Sequence, residues 1–214
     1  MATPVETALV PNMAYAELAS DEQIERTIEA LNAHGINAMV VENGLEAKKK
    51  VAELLPSGVE VFTSNSLTLN ALGIADDVDN SGRYNSVRAK LAKYDYKTQA
   101  REMNKLGSTP EYVLGSVHAL TETGSVLIAS ATGSQLAPYA AGAAKVIWVV
   151  GAQKIVPDLD EAMKRLEEYT FALEDARALK AYGMHSSINK TLVVHRETTP
   201  GRITVIIVKE NVGF

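Results

Sequence analysis

The sequence predicts an α/β protein, with a mostly parallel sheet covered by helices on both faces and closed by a C-terminal antiparallel hairpin. Three observations carry this. Segments of strand character alternate with amphipathic helical patterns, the signature of parallel strands joined by right-handed crossovers. The run Val146-Ile147-Trp148-Val149-Val150 is apolar at every position, as expected of a strand buried on both faces. Near the end, residues 191–196 and 202–209 flank Pro200-Gly201, which reads as the turn of a hairpin.

The elements follow in order. Ser20-Asp21-Glu22-Gln23 has capping-box spacing, and Ile24, Ile28 and Leu31 then share one helical face before Gly35 ends the helix. Residues 36–41 read as a strand, Asn43-Gly44 as a turn, 45–55 as a helix and 59–63 as the next strand. Leu67 and residues 69–72 suggest a short helix ending at Gly73, and the acidic stretch 76–82 a loop. Residues 86–106 read as one longer helix carrying Val87, Leu91, Tyr94 and Met103. Apolar runs 112–117 and 125–129 are strands, 136–144 a small-residue helix, and 145–150 the buried strand. Pro157-Asp158 opens a helix whose inner face is marked by Ala162, Leu166, Tyr169, Leu173, Ala176 and Leu179.

The 214 residues suffice for a single domain, placed at 20–214, with 1–19 as an N-terminal arm that either packs on the domain or a second subunit or stays loose. The chain has no cysteine, which removes disulfides, thiolate nucleophiles and cysteine-held clusters and points to the cytoplasm. A net charge of -5 without long basic blocks argues against nucleic acid or an anionic membrane as partner. No stretch approaches the ~18 apolar residues of a membrane span. A symmetric homodimer is the default assembly.

In sheets of this kind, ligands settle outside the carboxyl ends of the strands, where helix amino termini offer unpaired N–H groups. Two stretches fit: Ser64-Asn65-Ser66-Leu67-Thr68 and Ala131-Thr132-Gly133-Ser134-Gln135. Each joins hydroxyls to free backbone donors at a strand-to-helix junction, which suits a carboxylate or phosphate. Ser and Asn also cap helices with no ligand present, so each stretch admits that reading too. A third segment holds Ser116, His118, Glu122, Thr123 and Gly124 between two buried strands. Glu122 and His118, four residues apart, pair a carboxylate with an imidazole as nucleophile or base and proton partner; both also admit structural roles. Lys154 is a further candidate for the anionic end of a ligand. No G-x-G-x-x-G opens a helix, no phosphate-binding P-loop occurs, and His34, His118, His185 and His195 lack metal-ligand spacing, so no cofactor or metal is implied.

These residues resemble the LUD-domain (lactate utilisation protein) family. The likeness runs through Ser64 to Gly73, the pair Tyr84-Asn85, Ser116 to Leu127, the loop Thr132 to Gln135, Lys145 to Ala162 with Arg165, and Gly201 to Phe214. It implies the fold of ribose-5-phosphate isomerase, glucosamine-phosphate deaminase and the CoA transferases. It also implies a part in bacterial L-lactate utilisation, by binding a small anionic metabolite or by supporting iron–sulfur lactate oxidoreductase subunits. Ser64-Asn65-Ser66 stands where many relatives have Gly-Gly-Ser, and Gly133-Ser134-Gln135 where they have a loop ending in arginine. Residues 181–190 hold none of the cysteines that relatives can carry there. Thr121-Glu122-Thr123-Gly124 is similar to the Ser-Glu-Asn-Gly motif whose glutamate accepts acyl groups in CoA transferases. An acyl-transferase-like or isomerase-like enzyme using Glu122 is therefore the alternative function, and a structural subunit docking through 86–106 a third.

Overall fold

The structure, a computed structural model, describes residues 9–214. The first eight residues of the expected arm lie outside that range. Residues beyond them turn at Met13–Ala16 and lie on the domain: Asn12 donates to the Glu168 backbone carbonyl at 2.9 Å and Tyr15 Oη to Glu161 at 2.9 Å.

Six strands form an all-parallel sheet: β1 (Asn37–Val41), β2 (Glu60–Thr63), β3 (Asn85–Ser86), β4 (Tyr112–Gly115), β7 (Lys145–Gly151) and β10 (Ile203–Val208), in the order β1-β10-β7-β4-β2-β3. A second sheet holds β5 (Ala119–Thr121), β6 (Val126–Ser130), β8 (Ile155–Val156) and β9 (Lys190–Val194), in the order β8-β5-β6-β9. The doubly buried strand is β7, as its unbroken apolar run requires. Val146, Trp148 and Val150 enter one core while Ile147 and Val149 enter the other.

Helices α2 (Gly44–Leu54), α3 (Leu67–Ala71) and α4 (Ile74–Asn80) cover one face of the main sheet through Ala47, Val51, Leu69, Ile74 and Val78. The other face packs on the second sheet through Leu120, Val126 and Ile128, flanked by α1 (Asp21–Ala33), α5 (Val87–Leu91) and α6 (Tyr96–Ser108). Helix α7 (Leu159–Arg165) lays Ala162 on the outer face of the second sheet. The capping box at Ser20 and Gln23 forms as its spacing predicts. Among the described residues, no helix is long and apolar enough to cross a membrane.

The terminal hairpin does not form. β9 pairs antiparallel with β6, Lys190 opposite Ser130, whereas β10 inserts in parallel between β1 and β7. The reason is burial: five of the six β10 residues are fully enclosed, which requires neighbours on both edges and both faces, while β9 is half exposed. Pro200-Gly201 still turns the chain, inside a longer connection.

Three helical expectations change too. The acidic stretch 76–82 is mostly helix α4, because Asp76 and Asp77 in its first turn favour the helix N-terminus and Ile74 and Val78 are buried one turn apart. The helix expected over 86–106 divides into α5 and α6, since Asp95 accepts from the Lys97 N–H and starts a new helix. Residues 136–144 make only a short turn with π geometry at Pro138–Gly142. A second π turn, Leu166–Thr170, joins α7 to α8 (Phe171–Tyr182) and breaks the 3.6-residue phase. Beyond it the buried residues are Ala172, Asp175 and Ala178, while Leu179 is exposed.

Candidate functional site

The carboxyl ends of β2, β4 and β7 lie side by side, and the chain leaving each one lines a cleft of about 260 Å³. Ser64, Asn65, Ser66 and Thr68 follow β2; Ser116 and His118 follow β4; Lys154 follows β7. Thr132, Ser134 and Gln135 come from the loop after β6, and Phe171, Glu174 and Arg177 of α8 form part of the remaining wall. Two of the three predicted segments therefore meet, together with the first part of the third.

Lys154 is 2% exposed. Its Nζ donates to Thr68 Oγ1 at 3.1 Å and to Ser116 Oγ at 3.2 Å. Thr68 in turn donates to the Val212 carbonyl at 3.1 Å, tying the C-terminal segment to the cleft floor. Burial, followed by the nearby Arg165 charge, holds the Lys154 amine well below its usual basicity.

His118 accepts the Ala129 N–H on Nδ1 at 3.0 Å, so its neutral ring carries the proton on Nε2. Burial first, and then the charges of Lys154 and Arg165, lower its pKa to about 3. The imidazole is a hydrogen-bond donor to the cleft and a poor base.

Arg165, fully buried, stands behind the cleft wall. It donates to the His118 carbonyl at 2.5 Å and to Thr170 Oγ1 at 3.0 Å, while its second terminal nitrogen has no hydrogen-bond partner among the described residues. Burial lowers its pKa to about 10, which leaves it charged at neutral pH. Among the described residues, no carboxylate lies within ion-pairing distance of Lys154 or Arg165. Glu174, at the mouth, is already held by Arg177 at 2.6 and 2.7 Å.

Several predicted residues serve as scaffold. Ser66 caps α3 by accepting from the Leu69 N–H, and that helix is only five residues long, too short for a strong N-terminal field. Gln135 is occupied by Ser130 Oγ and the Ala129 carbonyl, and Gly133, at φ +89°, shapes the same loop without lining the cleft. Ser64 Oγ shares a 2.8 Å bond with the buried Tyr139 hydroxyl.

Glu122, Thr123 and Gly124 are not in the cleft. They form the three-residue turn of the β5–β6 hairpin: the Gly124 N–H returns to the Thr121 carbonyl, and Gly124 takes φ +82°. Glu122 faces α1, held by Arg26 at 2.7 Å and by the Gln23 amide at 2.9 Å. The expected catalytic pair is thus split, because β5 separates its members and sends them to opposite ends. Arg165, Tyr139, Glu174 and Arg177 were missed by sequence reasoning. Arg165 alone left a signal, a charge on the apolar stripe of Ala162, Leu166 and Tyr169. Among the described residues, no three His, Cys, Asp or Glu side chains converge as metal ligands.

A family model described as the LUD domain matches residues 24–208, most of the chain. The chain is a LUD-domain protein. One solved structure similar to this LUD-domain protein is a DUF162 family protein from Deinococcus radiodurans, 13% identical. It covers 90% of this chain and 99% of its own at a TM-score of 0.55, a likeness of fold. No curated protein matches. Membership relates this LUD-domain protein to lactate utilisation at the level of the family.

Proposed function

We propose that this protein binds a small organic anion of L-lactate utilisation in the cleft and serves a separate lactate oxidoreductase. The observation that carries the reading is the pair Lys154 and Arg165, both buried and, among the described residues, neither ion-paired to a carboxylate. Burying cationic groups without counter-charge costs several kcal/mol, a cost that folded proteins accept mainly at functional sites. An anion entering the cleft would offset the Arg165 charge, accepting from Lys154 Nζ, His118 Nε2–H and the hydroxyls of Ser116 and Ser64. The low dielectric behind the wall carries the Arg165 charge to such a ligand with little screening. The chain contains no cysteine, so any cluster held by cysteines belongs to a partner.

Calorimetric titration with L-lactate, pyruvate and inorganic phosphate tests the reading. Saturable binding of a carboxylate is expected, weakened about 10- to 100-fold in Lys154→Met, the equivalent of one charge-assisted hydrogen bond of about 1.5–3 kcal/mol. Absence of binding by all three at millimolar concentration, or equal binding by the variant, overturns it.

A further inference from the structure

Lys154 makes two hydrogen bonds, to Thr68 Oγ1 and Ser116 Oγ. The Thr68 hydroxyl has one hydrogen, and the Val212 carbonyl at 3.1 Å is nearer to it than Ser116 Oγ at 3.3 Å, so Thr68 accepts from Lys154. Two donated bonds use both N–H groups of a neutral amine and leave its lone pair free. An ammonium would hold a third N–H without a partner, in a site 2% exposed and within the field of Arg165. The geometry therefore suits the nucleophilic form of lysine. Around it stand the two groups a carbonyl substrate needs: a neutral imidazole N–H at His118 to polarise the carbonyl oxygen, and a buried guanidinium at Arg165 to balance a carboxylate.

We propose that Lys154 captures a short 2-oxo acid covalently, as an imine. This deepens the anion reading of the cleft and rests on it. The Nζ lone pair forms a bond to the carbonyl carbon while the carbonyl π pair moves to oxygen. A proton passes from nitrogen to that oxygen through the Ser116 hydroxyl, giving a carbinolamine. The nitrogen pair then forms the C=N bond as the C–O bond breaks, and the departing hydroxyl takes the remaining N–H proton and leaves as water. One amine and one carbonyl give one imine and one water, with no oxidant or reductant consumed. The substrate carboxylate balances the charge of Arg165 behind the cleft wall, and the imine nitrogen is left neutral.

The full chain incubated with pyruvate and borohydride at neutral pH provides the test, read by intact mass and peptide mapping. Gain of one 1-carboxyethyl group at Lys154 is expected, at an extent that the exposed lysines do not match. Its loss is expected in Lys154→Met. No adduct, or adducts spread over surface lysines and unchanged in the variant, overturns the proposal, and the peptide map of the unaltered protein decides this even if the variant fails to fold. L-lactate has no carbonyl and forms no imine. Calorimetric binding of L-lactate without a pyruvate adduct removes covalent capture and leaves the anion site standing; no binding of either removes both.

Discussion

The backbone N–H of Ala129 donates to Nδ1 of His118 at 3.0 Å, and this one bond fixes which nitrogen of the ring faces the cleft as a donor. In the unfolded chain the imidazole takes up a proton near its ordinary 6.5, whereas in the fold it does so only near 3. The unfolded state therefore binds more protons between these values. The stability associated with neutral His118 is complete above pH 6.5 and drains away as pH falls towards 3. Denaturant midpoints followed across this window should show an acid loss that is smaller in His118→Asn, whose side-chain oxygen can still accept from Ala129. The same variant lacks the outer N–H and should bind the cleft anion several-fold more weakly at pH 7. An unchanged affinity would show that the imidazole does not touch the ligand.

Gly115 is the point of closest approach beneath the cleft. A Cβ built there would lie 1.7 Å from Tyr139 Oη and 2.2 Å from Ser64 Oγ. Gly115→Ala should cost about 1–3 kcal/mol through overpacking. Thermal unfolding should report a drop of several degrees, accompanied by weaker anion binding as Ser64 is displaced.

Glu122→Gln separates the hairpin turn from the chemistry. Because Arg26 is largely exposed, the lost ion pair should cost no more than about 1 kcal/mol. Anion affinity and the pyruvate adduct should be unaffected. A large loss of either would return Glu122 to the functional machinery.

Arg202 pins the turn that carries Tyr139. It donates to the carbonyls of Ala143, Pro138 and Tyr139 at 3.0 Å each and pairs with Glu197 at 2.7 Å, with both side chains largely buried. Arg202→Leu removes the ion-pair partner of the buried Glu197 carboxylate and the donated bonds to three carbonyls, at an expected cost of about 3–5 kcal/mol. Arg202→Lys should recover little of this, since a single ammonium cannot span the fork of acceptors that a guanidinium reaches. Chemical denaturation of the two variants checks both expectations.

What the sequence discloses follows from which interactions are local. The capping box at Ser20, the doubly buried strand at Val146–Val150 and the hydroxyl-rich segments after β2 and β6 are legible because each depends on neighbours a few residues away. Pairing is non-local, and there the reading failed. Nothing within 191–209 states that β9 belongs to one sheet and β10 to the other; the difference appears only in burial, with Ile203–Val208 enclosed and Lys190–Val194 half exposed. His118 and Glu122 lie only four positions apart in sequence, yet the three-residue strand between them, at about 3.3 Å per residue, carries them to opposite ends. Lys154 was within reach of sequence reasoning. Arg165 was not weighed, because its meaning depends on what is missing around it, and only a folded chain shows that.

The parallel pairing of Asn37 with Thr204 has a kinetic side. β1 leaves the ribosome well before β10 and must wait for it unpaired, with much of its apolar surface bare. Closing so long a loop is slow, and the nascent intermediate presents an open template for mispairing. Chaperone dependence and yield on expression should therefore respond more sharply to changes in Ile203–Val208 than to changes of equal size in α1 or α2.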